Sequence, residues 1–229
     1  MLQQTQVDRV IPKFLAFIHR FPDEKSLANA TLSEVLTLWS GLGYNRRAKF
    51  LHESAKRINR DLNGIFPDSE KELMNLPGVG PGTAGAILAY TFNQPVAFIE
   101  TNVRTVYFHH FFEEGDKVHD VQLVPLIEAT LDIEHPREFY WALMDYGTWL
   151  KKGGAGRIMQ SHHYKKQPAL KGSVREVRGQ IIKALTVGDS TVSELQDVLA
   201  ADHRFESALT GLLRDGLISQ TETILHLTK

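Results

Sequence analysis

Leu76-Pro77-Gly78-Val79-Gly80-Pro81-Gly82-Thr83-Ala84-Gly85-Ala86-Ile87-Leu88 sets a glycine-punctuated turn between two helical patterns. The first pattern runs from about Asp68 to Asn75 and the second from Pro81 to Phe92. Ser69 and Glu72 have the spacing of a capping box for the first. Gly78 and Gly80 permit backbone angles, or a close approach, that a side chain obstructs. Pro81 suits the first helical position of the second helix. That helix opens on unpaired N–H groups with no acidic residue in its first turn, and such an end attracts a phosphate. A tight helix–helix corner without a ligand satisfies the same residues.

Around this turn the chain reads as helix after helix. Val7, Val10, Ile11, Phe14, Leu15 and Ile18 recur on one helical face, with Pro12 inside the pattern to bend it or to mark its start. A short helix covers about Ser26 to Ala30, and Thr31 with Glu34 opens another that runs to Trp39. Leu51, Ala55, Ile58 and Leu62 form the next stripe, which Gly64 stops. Helices then span Asn102 to Phe112, Val121 to Leu131 and Arg137 to Leu150. The domains expected are a helical one over 1–149 with its hairpin at 68–92, a basic connector over 150–171, and a small C-terminal domain over 172–229. The connector carries Lys151, Lys152, Arg157, Lys165, Lys166 and Lys171 with no acidic residue, as a solvated link or a strap along DNA. Past Gly172 come three helical stripes, the second capped by Ser193, and a hairpin from Leu217 to Leu227. This order resembles a winged helix. About 55 residues make only a modest core, so this domain is expected to lean on the first.

Composition narrows the function. Hydrophobic residues make up 42% of the 229, enough for a real core. The formal net charge of -1 gives no general attraction to nucleic acid, so any such affinity comes from local patches. With no cysteine, disulfides and cysteine-ligated zinc or iron–sulfur clusters are excluded. No segment is apolar for long enough to span a membrane, and the start does not read as a signal peptide. A cytoplasmic or nucleoid-associated monomer without a membrane partner is expected.

The hairpin resembles the helix-hairpin-helix of DNA base-excision glycosylases, and the A/G-specific adenine glycosylases in particular. Three further stretches carry the likeness, in family order. Met1-Leu2-Gln3-Gln4-Thr5-Gln6-Val7 resembles the family's first helix. Leu38-Trp39-Ser40-Gly41-Leu42-Gly43-Tyr44 resembles a helix end and its minor-groove loop. Ile99-Glu100-Thr101-Asn102-Val103-Arg104 resembles the segment that bears an essential aspartate. The resemblance covers Met1 to about Trp149. It implies an all-α helix-hairpin-helix glycosylase fold, followed here by the winged-helix-like domain. Many relatives carry a four-cysteine cluster after the catalytic domain. Leu150 to Arg157 holds no cysteine, so no cluster and no other resident cofactor is expected.

Glu100 follows the apolar run Val96 to Ile99 and precedes a helix start, which puts a carboxylate beside buried surface and helix-end N–H groups. Cleaving an N-glycoside builds positive charge at the sugar C1′, and a carboxylate there stabilises it. The resemblance puts the family's aspartate at Glu100, one methylene longer. A misplacement near 1 Å costs on the order of 100-fold in rate. A re-spaced site, a different substrate, lost activity and a plain helix cap therefore stay open. The resemblance adds Asn102 to orient Glu100, the sugar or a water, and Asp145 as a cap or stabiliser of the site. Because Pro81-Gly82-Thr83 has no lysine, it implies a monofunctional glycosylase that does not cut the strand. It also puts a protonating glutamate just ahead of the Met1 segment. Without that acid, thymine or uracil, which leave more readily as anions, come close behind adenine as the excised base. A non-catalytic DNA-binding protein is the rival reading.

Grip on double-stranded DNA is expected from the amides around Gly78, Val79, Gly80, Gly82 and Thr83, with a monovalent cation at the hairpin as in relatives. Gln4 resembles a glutamine that enters the duplex, and Leu42, Gly43 and Tyr44 resemble the wedge that fills the gap left by a flipped base. Arg46 and Arg47 follow, to meet the backbone. The pairs His109-His110 and His162-His163, with His119, suit surface or phosphate contact better than zinc, because adjacent helical residues do not face one another.

Overall fold

The structure, a computed structural model, describes residues 1–3, 5–199 and 202–229. Its contacts divide the chain into two compact units, Met1–Phe66 with Pro168–Lys229, and Pro67–Gln167.

The first unit opens with α1 (Val7–Arg20), α2 (Glu24–Ala28), α3 (Leu32–Trp39) and α4 (Arg46–Asp61). Residues before Val7 that the structure describes are not helical, although helix was expected from the start of the chain. Pro12 sits in the second turn of α1, where it forgoes the N–H bond to the Asp8 carbonyl, and the helix runs on past it to Arg20. Val10 and Phe17 of α1 are buried, while Ile11, Phe14, Leu15 and Ile18 of the expected apolar face are exposed. Thr31 and Glu34 form the expected capping box on α3. Gly64 takes a positive φ and its N–H closes α4 on the Ile58 carbonyl.

The second unit holds α5 (Glu70–Leu73), α6 (Pro81–Phe92), α7 (Thr101–Phe111), α8 (Asp120–Thr130) and α9 (Pro136–Lys152), then a 3-10 turn at Ile158–Gln160. Phe98, Val103, Phe108, Leu123, Ile127 and Tyr140 fill its core. The stretch after α9 is not a free connector here. The Val118 N–H donates to the Gln160 carbonyl (2.9 Å) and the His162 N–H to the Val118 carbonyl (2.9 Å), a parallel bridge that ties it to the entry of α8. The buried Gln160 amide also donates to the Glu113 carbonyl at 2.6 Å.

From Pro168 the chain belongs to the first unit again, with α10 (Val174–Leu185), β1 (Ser190–Thr191), α11 (Val192–Val198), α12 (Phe205–Arg214), β2 (Ile218–Thr221) and β3 (Ile224–Leu227). Thr191, not Ser193, caps α11, in a capping box with Glu194. The strands form an antiparallel sheet in the order β1-β3-β2, with Ser190 opposite Leu225 and Gln220 opposite Leu225 on the other side. The expected boundaries near 149 and 172 are therefore not the ones the contacts draw. The reason is burial. Val177, Ile181, Leu212 and Leu225 share one core with Val35, Leu36 and Trp39, because neither set alone covers its apolar faces. Lys49 Nζ donates to the Asp215 carbonyl (2.8 Å) and Arg178 to the Asp215 carboxylate (2.5 Å), fixing α4 to the end of α12. Among the described residues, no helix is long and apolar enough to cross a membrane.

Within the second unit, α7 packs against α9 at Gly147. A Cβ there would lie 2.8 Å from both Asn102 Cβ and the Asn102 carbonyl. Both are parts of a packed helix start that cannot swing aside. Gly147→Ala is expected to cost about 1–3 kcal/mol, as overpacking does. Thermal unfolding measures it, and an unchanged midpoint would show that α9 yields at this crossing.

Candidate catalytic site and nucleic-acid interface

Glu100 is the N-cap of α7. Its Oε1 accepts from the backbone N–H groups of Asn102, at very short range, and of Val103 at 3.0 Å. That satisfies two of the helix's orphan donors. Oε2 takes no hydrogen bond among the described residues, so one carboxylate oxygen remains for other work. Tyr90 stands close enough to feel the charge. Burial, and then the Glu100 carboxylate, push its phenol up to about 12, which keeps it neutral.

The segment that carries Glu100 is held from two sides. The Phe98 N–H donates to the Tyr140 hydroxyl (3.1 Å), and that hydroxyl donates to the Val96 carbonyl (2.8 Å). Burial pushes the Tyr140 phenol up to about 12. Gly85 of α6 lies so near Phe98 that a Cβ there would collide with it, and a Cβ on Gly82 would be 3.3 Å from the Ile99 carbonyl. The amide-rich beginning of α6 and the chain leading into Glu100 therefore touch, within a single unit.

Asn102 lies in the first turn of α7. Its Nδ2 reaches the Met144 sulfur at 3.5 Å, and its Oδ1 is buried with no hydrogen-bond partner. Asp145 stands exposed on α9 and makes no hydrogen bond or ion pair with Glu100 or Asn102. So the structure brings Glu100 and Asn102 together and leaves Asp145 apart from their polar contacts.

The second helix of the hairpin spans the expected residues, while the first is shorter than expected, at Glu70–Leu73, and carries only half of the capping box. Ser69 caps α5, its hydroxyl accepting from the Glu72 N–H at 3.4 Å. The Glu72 carboxylate accepts from the same hydroxyl at 2.7 Å. Gly78 takes φ 73°, and the Val79 N–H donates to the Leu76 carbonyl at 3.2 Å. Gly80 is the N-cap and Pro81 the first residue of α6, with no side-chain cap and no acidic residue in the first turn. Ala84 donates to the Gly80 carbonyl (2.8 Å), which makes its N–H the first that the helix consumes. The N–H groups of Gly82 and Thr83, two residues and one residue ahead of it, take no partner among the described residues and stay available to an anion.

In the first unit the loop after α3 is braced from beneath. Leu42 is buried at 5% exposure, in the shared core, so it anchors the loop and does not stand out from it as a wedge. Gly43 and Tyr44 both take positive φ, and the Gly43 carbonyl accepts from Trp39 Nε1 at 3.1 Å. Tyr44 is half-buried. Arg175 of α10 lies over its ring, 5.2 Å from the centroid, and donates to its hydroxyl at 2.7 Å. Arg47 turns inward. It donates to the Gln3 carbonyl (2.8 Å) and lies over the rings of Trp39 and Tyr44, both at 5.4 Å. Arg46 is exposed, 4.0 Å from the Asp215 carboxylate. Gln4, expected to enter the duplex, lies outside the described residues.

Sequence reasoning missed Tyr140, Tyr90, Gly147 and Arg175. Arg175 is 131 positions from Tyr44, and nothing in the local pattern links them. Tyr140 and Gly147 left a faint trace, as a tyrosine and a glycine seven residues apart on one helical face.

The model of the HhH-GPD superfamily base excision DNA repair proteins matches residues 1–123. This chain belongs to the HhH-GPD superfamily. It is 41% identical to an adenine DNA glycosylase of Buchnera aphidicola subsp. Baizongia pistaciae, over 64% of this chain and 42% of that protein. It is 32% identical to an adenine DNA glycosylase of Mycobacterium tuberculosis, over 96% of this chain and 80% of that one. The chain spans less than half the length of the Buchnera proteins that it matches. Among solved structures, a thermostable thymine-DNA glycosylase superposes with a TM-score of 0.58 at 25% identity, over 64% of this chain and 69% of that chain. A non-covalent complex of endonuclease III with DNA shares the fold, with a TM-score of 0.55 at 18% identity over 76% and 75%. The chain has no cysteine. It offers no thiolate to an iron–sulfur cluster, so its residues do not fit one.

A buried acceptor without a donor costs about 1–3 kcal/mol. Asn102→Ala is therefore expected to hold or raise the thermal midpoint. A clear fall would show that the amide is part of the scaffold and is not kept for a ligand.

Proposed function

We propose that this protein excises a mispaired base, adenine first, from double-stranded DNA. The observation that carries the reading is the contact between the start of α6 and the chain entering Glu100. The unspent amides at the start of α6 and the free oxygen of the Glu100 cap, both within the second unit, support it. The amides, with Gly78 and Val79 shaping the turn and a monovalent cation at the hairpin, hold the strand. The target nucleotide is everted from the stack. As the bond from C1′ to the base breaks, Glu100 stabilises the positive sugar, and water adds at C1′. Its proton balance closes on the departing base. Asn102 supplies its unpartnered carbonyl oxygen to orient that water or the sugar. Asp145 supports the site from α9 without touching the reacting atoms. No lysine lies in Pro81 to Thr83, which supports a glycosylase that leaves the strand uncut.

The first unit contributes Tyr44 as the wedge, Gly43 as the turn that presents it, Arg46 as a phosphate contact, and Gln4 beside the base. Arg47 sets the shape of the loop. Residues 172–229, with three helices and a three-stranded sheet, are read as winged-helix-like. The relatives named adenine DNA glycosylase favour adenine, and the likeness to a thymine-DNA glycosylase keeps thymine opposite guanine as a second reading. The protein is read as a monomer, cytoplasmic or nucleoid-associated.

Duplexes carrying adenine opposite oxoguanine, thymine opposite guanine and uracil opposite guanine, each cleaved afterwards with alkali, decide between these. Product is expected first from the adenine duplex. Glu100→Gln should lower its single-turnover rate by at least about 100-fold while leaving duplex affinity intact. Product from the thymine duplex alone selects the second reading. Tight binding with no product on any duplex makes the protein a DNA-binding module. Separately, Arg46→Ala should weaken binding evenly across sequences and reduce the salt slope by about one. An unchanged slope would remove Arg46 from the interface.

A further inference from the structure

The second unit gathers three histidines that the sequence scatters. His119 is the N-cap of α8, and its N–H donates to Gln122 Oε1 at 2.8 Å. His162 and His163 follow the 3-10 turn, 43 positions later. The parallel bridge between Val118 and Ser161 lies next to all three, so their backbones are held side by side by hydrogen bonds that owe nothing to the imidazoles. Ser161 and Gln160, just before the pair, are buried, and the Ser161 hydroxyl accepts from the His163 N–H at 3.2 Å. The scaffold beneath the rings is therefore fixed, while the rings themselves are exposed.

One ring nitrogen from each of the three lies within 4.8 Å of the others. The His119 and His162 rings stack, 3.9 Å between centroids and 24° apart in plane. His163 stands edge-on to both, at 89° and 82°. The stacked pair aims its lone pairs side by side, so a shared ion requires the exposed His119 and His162 rings to turn out of the stack. Around zinc, with bonds of 2.0–2.1 Å, such nitrogens sit about 3.3 Å apart. That rotation of exposed side chains closes the difference. The donors are all imidazole, which suits Zn2+, Ni2+, Co2+ and Cu2+ and gives nothing to Mg2+ or Ca2+. Asp120 beside them is committed to Arg104, at 2.8 and 2.6 Å, so that pair adds no net charge.

We propose that His119, His162 and His163 form a binding site for one divalent transition-metal ion, zinc by chemistry, which clips the segment after α9 to the start of α8. Three protein ligands leave the fourth position to water. The clip closes a loop that contains all of α8 and α9, and because the site exists only in the folded chain its binding energy adds to folding. It also fixes where Tyr164, Lys165 and Lys166 start, near the end of the unit. This site is independent of Glu100 and of the reading given to it.

The full chain without a polyhistidine tag, titrated with zinc chloride by calorimetry, tests this. One Zn2+ per monomeric chain is expected, with a raised thermal midpoint and a Co2+ absorption band of tetrahedral intensity. Single alanine variants at His119, His162 and His163 should each weaken binding at least about tenfold through the lost ligand, and the triple variant should abolish the thermal shift. His135→Ala, on an exposed histidine elsewhere in the same unit, should change neither. No saturable binding at millimolar zinc, binding undiminished in the triple variant, or one zinc shared between two chains would each overturn the clip.

Discussion

Three missing side chains decide whether this protein has a site at all. Gly82 and Gly85 let α6 lie on residues 98–99, and Gly147 lets α9 close on Asn102. Each contact is near or below ordinary van der Waals distance for a Cβ, and each falls within five residues of Glu100. A methyl group at Gly85 or Gly147 forces its helix off the stretch that carries the carboxylate, and one at Gly82 tightens the contact with the Ile99 carbonyl. Tyr140 completes the clamp with two backbone hydrogen bonds from a buried hydroxyl. The position of Glu100 is thus set by packing of backbone on backbone, which is stiff.

That stiffness bears on the extra methylene of glutamate. A longer side chain on a fixed backbone has one more rotatable bond. Here the cap removes that freedom, because Oε1 is bound by two N–H groups of α7. Capping and chemistry are compatible, since a carboxylate has two oxygens and the cap engages one.

The second unit was the more legible in sequence. Pro81–Phe92 was expected residue for residue, because proline at N1 and the glycines before it are local signals. The helix at Thr101 and the capping box at Thr31 were legible for the same reason. What the sequence hid was non-local. Leu42 reads as a loop residue and is buried, since the partner that covers it comes from elsewhere in the core. Arg47 reads as a phosphate contact and is folded back on Trp39 and the first residues. The histidines at 119, 162 and 163 looked scattered because only a parallel bridge between distant segments brings them together. The boundary near Trp149 followed a change in composition. The contacts instead follow apolar faces, and α10 and α12 bury theirs against α3.

The polypeptide leaves the first unit after Phe66 and rejoins it at Pro168. Residues 67–167 therefore behave topologically as a cassette set into a host. The core around Phe108 and Tyr140 is drawn wholly from the cassette, whereas a fragment stopped at Trp149 strips the host of Ile181, Phe205, Leu212 and Leu225. A cut at the change in composition therefore falls on the host and not on the insert.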